Sequence, residues 1–362
     1  MRGNNTVRLL TRRNAIRAAL ISIPALWLGH VWFNASPWRL IRPRGLGRLG
    51  EWIKDLSFID GKVGYAGGQF SDWSPHEPVI DAFMYRCDDR GRNWSHVPLP
   101  DGYRSVERIF PHPGGLVLLV TKPGRRDGWS VLRADSQGTW RETPFPVKKE
   151  GAPCHAKLHV SLQGRCTAVA WYMRKDCSIF PAAFRDGEAP GEWESIWTGT
   201  GKEGVCLTPG DGEIVMFAPG AFLACDTAGG AWREAPLPVA FKPDVGCCAA
   251  GVWRFAGLSD TGAAICTVRD GRASVHPVRE AGGNPVISID VLGDTICCDM
   301  IVAGSATFFG VTHEFLFSRD GGRTWRTCNY FSSLVTRPAC FVGENSYLTV
   351  GLGGLQIFSL DA

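Results

Sequence analysis

Apolar residues recur along this chain in paired runs separated by short turns rich in Gly or Asp. An apolar run, a turn and a second apolar run together are typical of a β-hairpin. Seven such pairs occur, at residues 56–68, 106–120, 158–172, 205–219, 245–257, 287–304 and 339–351. Helical periodicity is hard to find beyond the N-terminus. The pattern therefore predicts an all-β chain built from a repeated hairpin.

The turn at residues 318–325 is the best preserved of several that follow these hairpins. Its defined positions are Ser318, Asp320, Gly322, Thr324 and Trp325. Asp320 can accept hydrogen bonds from the backbone N–H groups that follow it, and Gly322 can adopt a positive φ at little cost. Thr324 begins the next strand, and Trp325 can bury a large apolar surface between neighbouring repeats.

Degenerate copies of this turn follow other hairpins. The positions retained are Asp89, Gly91 and Trp94 in one copy, Asp135 and Trp140 in a second, and Trp232 in a third. Residues 185–193 resemble a lengthened copy, and residues 269–271 retain the turn without a Trp. The Trp residues recur about every 40 to 50 residues, which is the length of a four-stranded propeller blade.

Residues 318–325 match the Asp-box, also called the BNR repeat, at every defined position. In the families that carry it, this box is the turn between the third and fourth strands of a β-propeller blade. The resemblance implies a propeller, and it places the box on the face opposite the usual binding site. Seven hairpins predict seven blades, with six as the alternative if one weak blade is miscounted.

The last hairpin is followed by only one further strand, at residues 355–359. Propellers close their ring when a segment from the other end of the chain supplies the missing strand, which leaves only short, protected edges. Residues 38–42, just before the first hairpin, are the candidate for that strand. We therefore predict a single propeller domain over residues 37–362.

Residues 1–36 form a separate segment with a charged start and an apolar run. Five arginines and no acidic residue precede the apolar residues 18–33. This order is typical of a signal peptide or a signal anchor. Residues 11–17 also resemble a twin-arginine export motif, although Ala15 stands where Phe is usual, and an ordinary Arg-rich flank is the alternative. We expect an uncleaved transmembrane helix in a bacterial inner membrane, with the propeller in the periplasm.

The thirteen cysteines are many for a protein in an oxidising compartment. Most lie in predicted strands, including the neighbouring pairs at 247–248 and 297–298. Inner propeller strands are covered on both faces, so these side chains can serve as small core residues. Buried thiols are expected if the domain folds before it is exported. A disulfide between neighbouring blades remains open.

The sequence gives few indications of chemistry. The net charge of +4 is modest, and no basic and aromatic platform suggests a nucleic-acid partner. Cys154, His155 and His159 lie close together, but they lack the spacing of metal ligands. Neither a phosphate-binding loop nor a nucleophile elbow is present. We expect no metal, no cofactor, no nucleic-acid partner and no small-molecule substrate.

The alternative function is a sialidase-like glycoside hydrolase, because Asp-boxes are common among sialidases. Such enzymes use an Arg triad, a Tyr nucleophile paired with Glu, and an Asp acid/base. Tyr330 and Arg337 occupy a late loop on the appropriate face. However, no three arginines recur at matching blade positions, the Phe/Tyr-Arg-Ile-Pro signature is absent, and sialidases have six blades.

The chain also resembles the photosystem II stability/assembly-factor-like propellers of the sialidase superfamily. Residues 63–68 and the box at Ser318 carry this resemblance, which extends over nearly all of residues 50–362. It implies a seven-bladed, exported or membrane-anchored scaffold that binds a partner without catalysis.

One face of the predicted propeller carries a set of cations and an aromatic residue in the loops of its first three blades. Such a set could bind an acidic protein or lipid headgroups, and Trp is a typical interface anchor. The candidate residues are Trp73, Arg104, Lys122, Arg125, Arg126, Arg174 and Lys175. We expect this chain to bind a protein partner, either as an assembly factor or as an immunity protein against a secreted toxin.

Overall fold

The structure is a computed structural model. It describes residues 38–41, 44–46, 51–59, 61–71, 80–123, 128–189, 191–200, 206–210, 212–218, 221–227, 231–236, 241–278, 286–301, 311–332, 339–343, 345–351 and 354–360. The transmembrane helix expected within residues 1–36 lies outside these described residues. In the part of the chain that is described, no helix is long and apolar enough to cross a membrane.

The described strands form seven antiparallel sheets of four strands each, arranged as the blades of one propeller. Strand β1 (Trp38–Ile41) belongs to the last blade. Blades 1 to 3 contain, from the inner strand outward, β2 (Glu51–Ile59), β3 (Val63–Ser71), β4 (Ile80–Cys87) and β5 (Trp94–His96); β6 (Ser105–His112), β7 (Gly115–Thr121), β8 (Trp129–Asp135) and β9 (Trp140–Pro144); and β10 (Ala152–Val160), β11 (Cys166–Met173), β12 (Ile179–Asp186) and β13 (Trp193–Thr198).

Blades 4 to 7 follow in the same order. They contain β14 (Cys206–Pro209), β15 (Glu213–Ala218), β16 (Ala221–Asp226) and β17 (Arg233–Pro236); β18 (Phe241–Ala249), β19 (Val252–Ser259), β20 (Gly262–Arg269) and β21 (Arg272–Pro277); β22 (Val286–Leu292), β23 (Thr295–Ile301), β24 (Val311–Ser318) and β25 (Arg326–Ser332); and β26 (Ala339–Phe341), β27 (Ser346–Gly351) and β28 (Gly354–Ser359). Each hairpin predicted from the sequence supplies the two inner strands of one blade. The prediction of seven blades is confirmed, and the six-bladed alternative is wrong.

The N-terminal strand closes the ring, as predicted. Strand β1 pairs antiparallel with β28, with Trp38 opposite Phe358 and Ile41 opposite Leu355. The segment after β1 then joins blade 1, because the N–H of Trp94 donates a 2.8 Å hydrogen bond to the carbonyl of Arg44. The two ends of the chain are therefore held together by backbone hydrogen bonds.

The apolar cores lie between neighbouring blades. In one core, Leu119 and Val131 of blade 2 pack with Tyr172 and Phe180 of blade 3. The predicted role of cysteines as core residues is confirmed for several that are free and buried. These are Cys87, Cys166, Cys225, Cys266, Cys297 and Cys298.

The two faces of the ring differ in the loops that they carry. We call upper the face with the connections from second to third strand and from one blade to the next. The lower face carries the connections from first to second and from third to fourth strand. The turn at Ser318 joins β24 to β25 and therefore lies on the lower face.

Candidate functional site

The turn at Ser318 is closed by a dense set of hydrogen bonds. The carboxylate of Asp320 accepts from the N–H groups of Arg323 (3.0 Å) and Thr324 (2.9 Å), and from the hydroxyls of Thr324 (2.7 Å) and Ser318 (2.8 Å). The indole N–H of Trp325 donates to the carbonyl of Gly322, which has a φ of 92°. The Asp side chain is thus fully used by its own turn.

Blade 1 repeats this geometry with different residues. Asp89 accepts from the N–H groups of Arg92 (3.0 Å) and Asn93 (2.9 Å), and the Asn93 side chain also donates to it. The sulfur of Cys87 accepts from the N–H of Gly91, as the Ser318 hydroxyl does in blade 6. Asn and Cys therefore replace Thr and Ser without loss of the turn.

In blades 2 and 4, the Trp of the turn links neighbouring blades. Asp135 still accepts from the N–H groups of Gln137 and Thr139, both at 2.9 Å. The indole of Trp140, however, donates 3.2 Å to the carbonyl of Pro98 on the link from blade 1. In blade 4 the ring of Trp232 packs edge-on against Trp197 of blade 3, with centroids 5.2 Å apart.

These carboxylates are poorly suited to act as catalytic acids. Hydrogen bonds from Thr324 and Ser318 hold the pKa of Asp320 well below its ordinary value. The N–H groups of Asn93 and Thr139 likewise lower the pKa of Asp89 and Asp135. All three stay ionised and bound to backbone donors, which is a structural role.

A cleft of about 220 Å³ opens on the upper face between blades 1 and 2. It includes two of the candidate residues predicted from the sequence, Arg104 and Lys122. Its lining consists of Lys54, Gln69, Arg104, Glu107, Thr121, Lys122, Gly128 and Trp129. Three of these eight side chains are cationic and one is acidic.

An ion pair forms one wall of this cleft. The register of β2 shifts between Ile53 and Asp55, and that of β6 shifts between Val106 and Arg108. Such bulges redirect the extra residue of an inner strand. The extra residue of β2 is Lys54 and that of β6 is Glu107, and their charged atoms meet at 2.6 Å.

The opposite wall holds Lys122 in place. Its ammonium lies 2.6 Å from Glu142 and 5.4 Å from the centre of the Tyr103 ring. Burial raises the pKa of Glu142, but hydrogen bonds from Lys122, Ser130 and Tyr103 outweigh it, so this pKa is below its ordinary value. Glu142 is therefore an ionised counter-charge for Lys122.

Arg104 differs from both lysines of the cleft. It is exposed at the end of the link from blade 1, where its N–H donates to the carbonyl of Thr121 at 2.7 Å. Among the described residues, no hydrogen bond or ion pair to its guanidinium is present. Its charge therefore remains available to a ligand.

An exposed tryptophan that the sequence analysis did not single out lies beside the cleft. Trp52 is 47% exposed and stands opposite Gln69 in the β2–β3 ladder, so both side chains share one face of blade 1. Two further exposed apolar residues lie on the upper face: Val147 in the connection from blade 2 to blade 3, and Ile179 at the start of β12. Their signal in the sequence is weak, because exposed and buried apolar residues of a strand look alike.

The remaining predicted binding residues differ in their structural surroundings. Arg174 stacks on Phe180, 4.4 Å from the ring centre, and its guanidinium also contacts the carbonyl of Thr200 at 3.5 Å. Arg174 thus fastens its own loop, whereas Lys175 at the tip is exposed. Trp73, Arg125 and Arg126 lie outside the described residues.

Three of the described tyrosine side chains lack the accessibility of a sialidase nucleophile. Tyr103, Tyr172 and Tyr347 are buried and donate to Glu142, the carbonyl of Pro146 and Asp290 respectively. Burial raises the pKa of all three phenols. A tyrosine nucleophile needs a lowered pKa and access to the substrate. A fourth tyrosine, Tyr85, donates a 2.6 Å hydrogen bond to Glu51 and is 2% exposed. Tyr330 lies in strand β25, opposite His313, and not in the loop expected from the sequence. Arg337 lies outside the described residues.

Charged residues also line the ring near its axis. Asp55 of β2 accepts from Arg108 at 3.1 Å and from the N–H of Ile109 at 2.6 Å, which joins blades 1 and 2. Burial raises the pKa of Asp290 to about 6, although the hydroxyl of Tyr347 opposes this shift. Within the described ranges, no cluster of three or more potential metal ligands occurs.

Comparisons with known proteins identify the fold. No protein-family profile matches the chain, and no curated protein matches its sequence. A prolyl endopeptidase structure matches with a TM-score of 0.54 and 10% identity over 86% of this chain and 49% of that chain. This chain thus spans about half the length of that protein.

A second structure shows the same architecture, and a third match has a lower TM-score. Polysaccharide lyase Uly1 matches with a TM-score of 0.50 and 11% identity over 88% of this chain and 92% of that chain. Hsv2 of Kluyveromyces lactis matches with a TM-score of 0.47 and 12% identity over 83% of this chain and 89% of that chain. Identities this low show a shared fold alone.

Proposed function

We propose that this propeller is a non-catalytic scaffold that binds a protein partner through the upper face of blades 1 to 3. The observation that carries the proposal is the exposed Trp52 beside a cleft that presents Arg104. Trp and Arg are the side chains that most often dominate binding energy at protein interfaces. A Trp next to an available guanidinium is therefore well suited to anchor a partner.

The charges favour an acidic partner. Lys54 and Lys122 are held by Glu107 and Glu142, whereas Arg104 and the exposed Lys175 have no acidic partner among the described residues. Such cations accelerate association with an acidic surface and orient it. Val147 and Ile179 add apolar area to the same face.

The proposal includes membrane attachment through residues 1–36 and a periplasmic location. Strand β1 begins at Trp38 opposite Phe358, near the lower face, and runs toward the upper face. A preceding anchor would then attach at the lower face and leave the upper face directed away from the membrane. The buried free thiols, such as Cys166 and Cys297, suit a domain that folds before export.

Affinity capture from native membranes tests the binding role. Trp52→Ala and Arg104→Glu should reduce recovery of one specific protein, while Lys62→Glu, an equal charge change on the lower face, should not. Equal recovery with all variants would contradict the proposed surface. A gene neighbourhood with a toxin favours an immunity protein, and one with a membrane complex favours an assembly factor.

The glycosidase alternative has its own test. Turnover of a fluorogenic sialoside by the purified protein, abolished by Tyr330→Phe, would replace the binding proposal with an enzymatic one. We expect no turnover, since the phenols of Tyr103, Tyr172 and Tyr347 are buried and have raised pKa values.

A further inference from the structure

Arg254 is a buried cation without a counter-charge. It lies in β19 of blade 5 and is 6% exposed, and its Nε is buried without an acceptor. Within the described part of the chain, no carboxylate or carbonyl accepts a hydrogen bond from its guanidinium. Other partly buried arginines do have partners, such as Arg133 with Asp186 at 2.6 Å and Arg185 with Glu194 at 2.7 Å.

This arrangement is unfavourable for the protein alone. A guanidinium cannot lose its proton in a protein, so burial cannot be relieved by neutralisation. An uncompensated buried charge destabilises the fold unless an anion or water satisfies it. A ligand that brings negative charge would satisfy Arg254.

The neighbours of Arg254 form a polar row across blade 5. Arg254 stands opposite Thr267 of β20, and Thr267 stands opposite Ser274 of β21. Directly opposed residues place their side chains on the same face, about 5 Å apart. Ala256 and Ile265, which share this face by strand alternation, pack against blade 6. The row therefore lies on the side of blade 5 that faces blade 6.

An open cleft of about 550 Å³ lies at the lower face beside Thr267 and Ser274, the outer members of this row. It is lined by Thr267, Arg269, Asp270, Arg272, Ala273 and Ser274. Arg254 is adjacent to Thr267 but is not among the residues that line the cleft. Arg269 and Arg272 oppose each other across the hairpin turn, one row below Thr267 and Ser274. The cleft thus combines two exposed guanidinium groups with two hydroxyls, and its acidic residue, Asp270, is exposed on the turn.

We propose that Arg254, Arg269 and Arg272, with the hydroxyls of Thr267 and Ser274, bind a phosphate or sulfate group. Guanidinium groups bind such oxyanions through paired, charge-assisted hydrogen bonds. The hydroxyl of Thr267 can donate to a remaining oxygen. The hydroxyl of Ser274 donates to the carbonyl of Thr267 at 3.4 Å and lies 3.2 Å from Nε2 of His276, so it must leave the carbonyl to donate to the ligand. The site lies on the lower face, so it is separate from the protein-binding surface and does not depend on it.

Titration with inorganic phosphate and with sulfate tests this site, at constant ionic strength with chloride as the reference anion. The wild-type protein should show saturable binding by calorimetry and a rise in Tm with phosphate. Arg254→Met should weaken binding by roughly tenfold or more. The same variant should have a higher Tm than wild type without phosphate, because it removes the unpaired charge.

Two further variants serve as the second measurement and the control. Arg269→Gln combined with Arg272→Gln alters exposed side chains only, so it should fold and bind phosphate more weakly. Arg86→Gln, which alters an exposed arginine paired with Asp88 in blade 1, should bind as wild type does. The site is refuted if wild type shows no phosphate-dependent change, or if Arg254→Met and the double variant bind phosphate like wild type.

Vesicles distinguish the source of the oxyanion. Binding to phosphatidylglycerol vesicles but not to phosphatidylcholine vesicles, lost in Arg254→Met, would support the site with a lipid headgroup as its ligand. Phosphate binding without vesicle binding would support the site with a soluble phosphorylated or sulfated ligand.

Discussion

The hydroxyl of Tyr347 donates a 2.8 Å hydrogen bond to Oδ2 of Asp290, which joins blade 7 to the inner strand of blade 6. Tyr347 is 1% exposed, and Asp290 is partly buried. Burial raises the pKa of Asp290 from 3.8 to about 6, the Tyr347 hydroxyl opposes this shift, and the nearby Asp55 adds to it. An interblade hydrogen bond thus includes an acid that titrates in an accessible range.

Asp290→Asn should stabilise the protein at pH 7.5 but not at pH 4. The folded state binds the proton of Asp290 more tightly than the unfolded state does. The contribution of this protonation to the free energy of unfolding is therefore complete below about pH 4 and is lost as pH rises through about 6. At pH 7.5, Asp290→Asn should raise the free energy of unfolding by at most about 3 kcal/mol. Urea unfolding at both pH values measures it. Asp101→Asn, at an exposed carboxylate, is the control, and an equal effect of Asp290→Asn at both pH values would contradict this prediction.

Substitution of the turn aspartates by Ala should lower Tm in the order Asp320, Asp89, Asp135. The carboxylate of Asp320 accepts four hydrogen bonds, that of Asp89 accepts three, and that of Asp135 accepts two. Each substitution leaves those donors without their acceptor. Differential scanning calorimetry at pH 7 measures the order. Asp88→Ala is a matched control because, among the described residues, Asp88 accepts only from Arg86. A greater loss for Asp135→Ala than for Asp320→Ala would show that hydrogen-bond number is not decisive.

Two of the three cations of the upper cleft, Lys122 and Arg104, should respond differently to removal. Lys122→Met should lower the free energy of unfolding by about 0.5–1 kcal/mol, because Lys122 pairs with a partly exposed Glu142. Arg104→Gln should leave stability unchanged within about 0.5 kcal/mol, since no described group pairs with it. Chemical denaturation of both variants gives the comparison. Strong destabilisation by Arg104→Gln would assign that residue to the fold and remove it from the proposed binding surface.

Proline substitutions in β1 should reveal how the ring is held closed. The N–H groups of neighbouring residues in an antiparallel strand point in opposite directions. One of Arg39→Pro and Leu40→Pro must therefore remove a backbone hydrogen bond to β28. The other removes an N–H that points away from β28, toward the outer edge of the blade. We expect a clearly lower Tm for one variant and little change for the other. Two equal, small effects would mean that β1 contributes little to closure.

Much of the fold was predictable because its signals are local. Alternating apolar runs and Gly turns identify each hairpin within about fifteen residues, and the chemistry of Asp320 and Gly322 identifies the outer turn. The closing role of residues 38–42 followed from counting strands. The hairpins and turns depend on residues that are neighbours in the sequence, whereas the closing strand pairs with the other end of the chain and was inferred from the strand count alone.

The site was less predictable because its contacts cross blades. Lys122 and Arg104 look alike in the sequence, yet only Lys122 meets an acid, Glu142, after folding. Arg174 was expected on the binding surface, but an aromatic ring six residues later packs against its guanidinium. Strand alternation did not indicate that Trp52 is exposed or that Arg254 is buried without an acid. These properties depend on the packing between blades.

The pairing of β1 with β28 also has a consequence for the kinetics of the protein. The strand that is synthesised first finds its partner only when the last strand exists, so the closing contact has the largest sequence separation in the fold. Contacts of this kind form slowly. Until they form, β28 presents an unpaired edge that can associate with other chains. Blade 7 is also where the first described strand, β1, pairs with the last, β28. We therefore expect unfolding to begin at this seam, and amide hydrogens of β28 to exchange before those of β7 or β11.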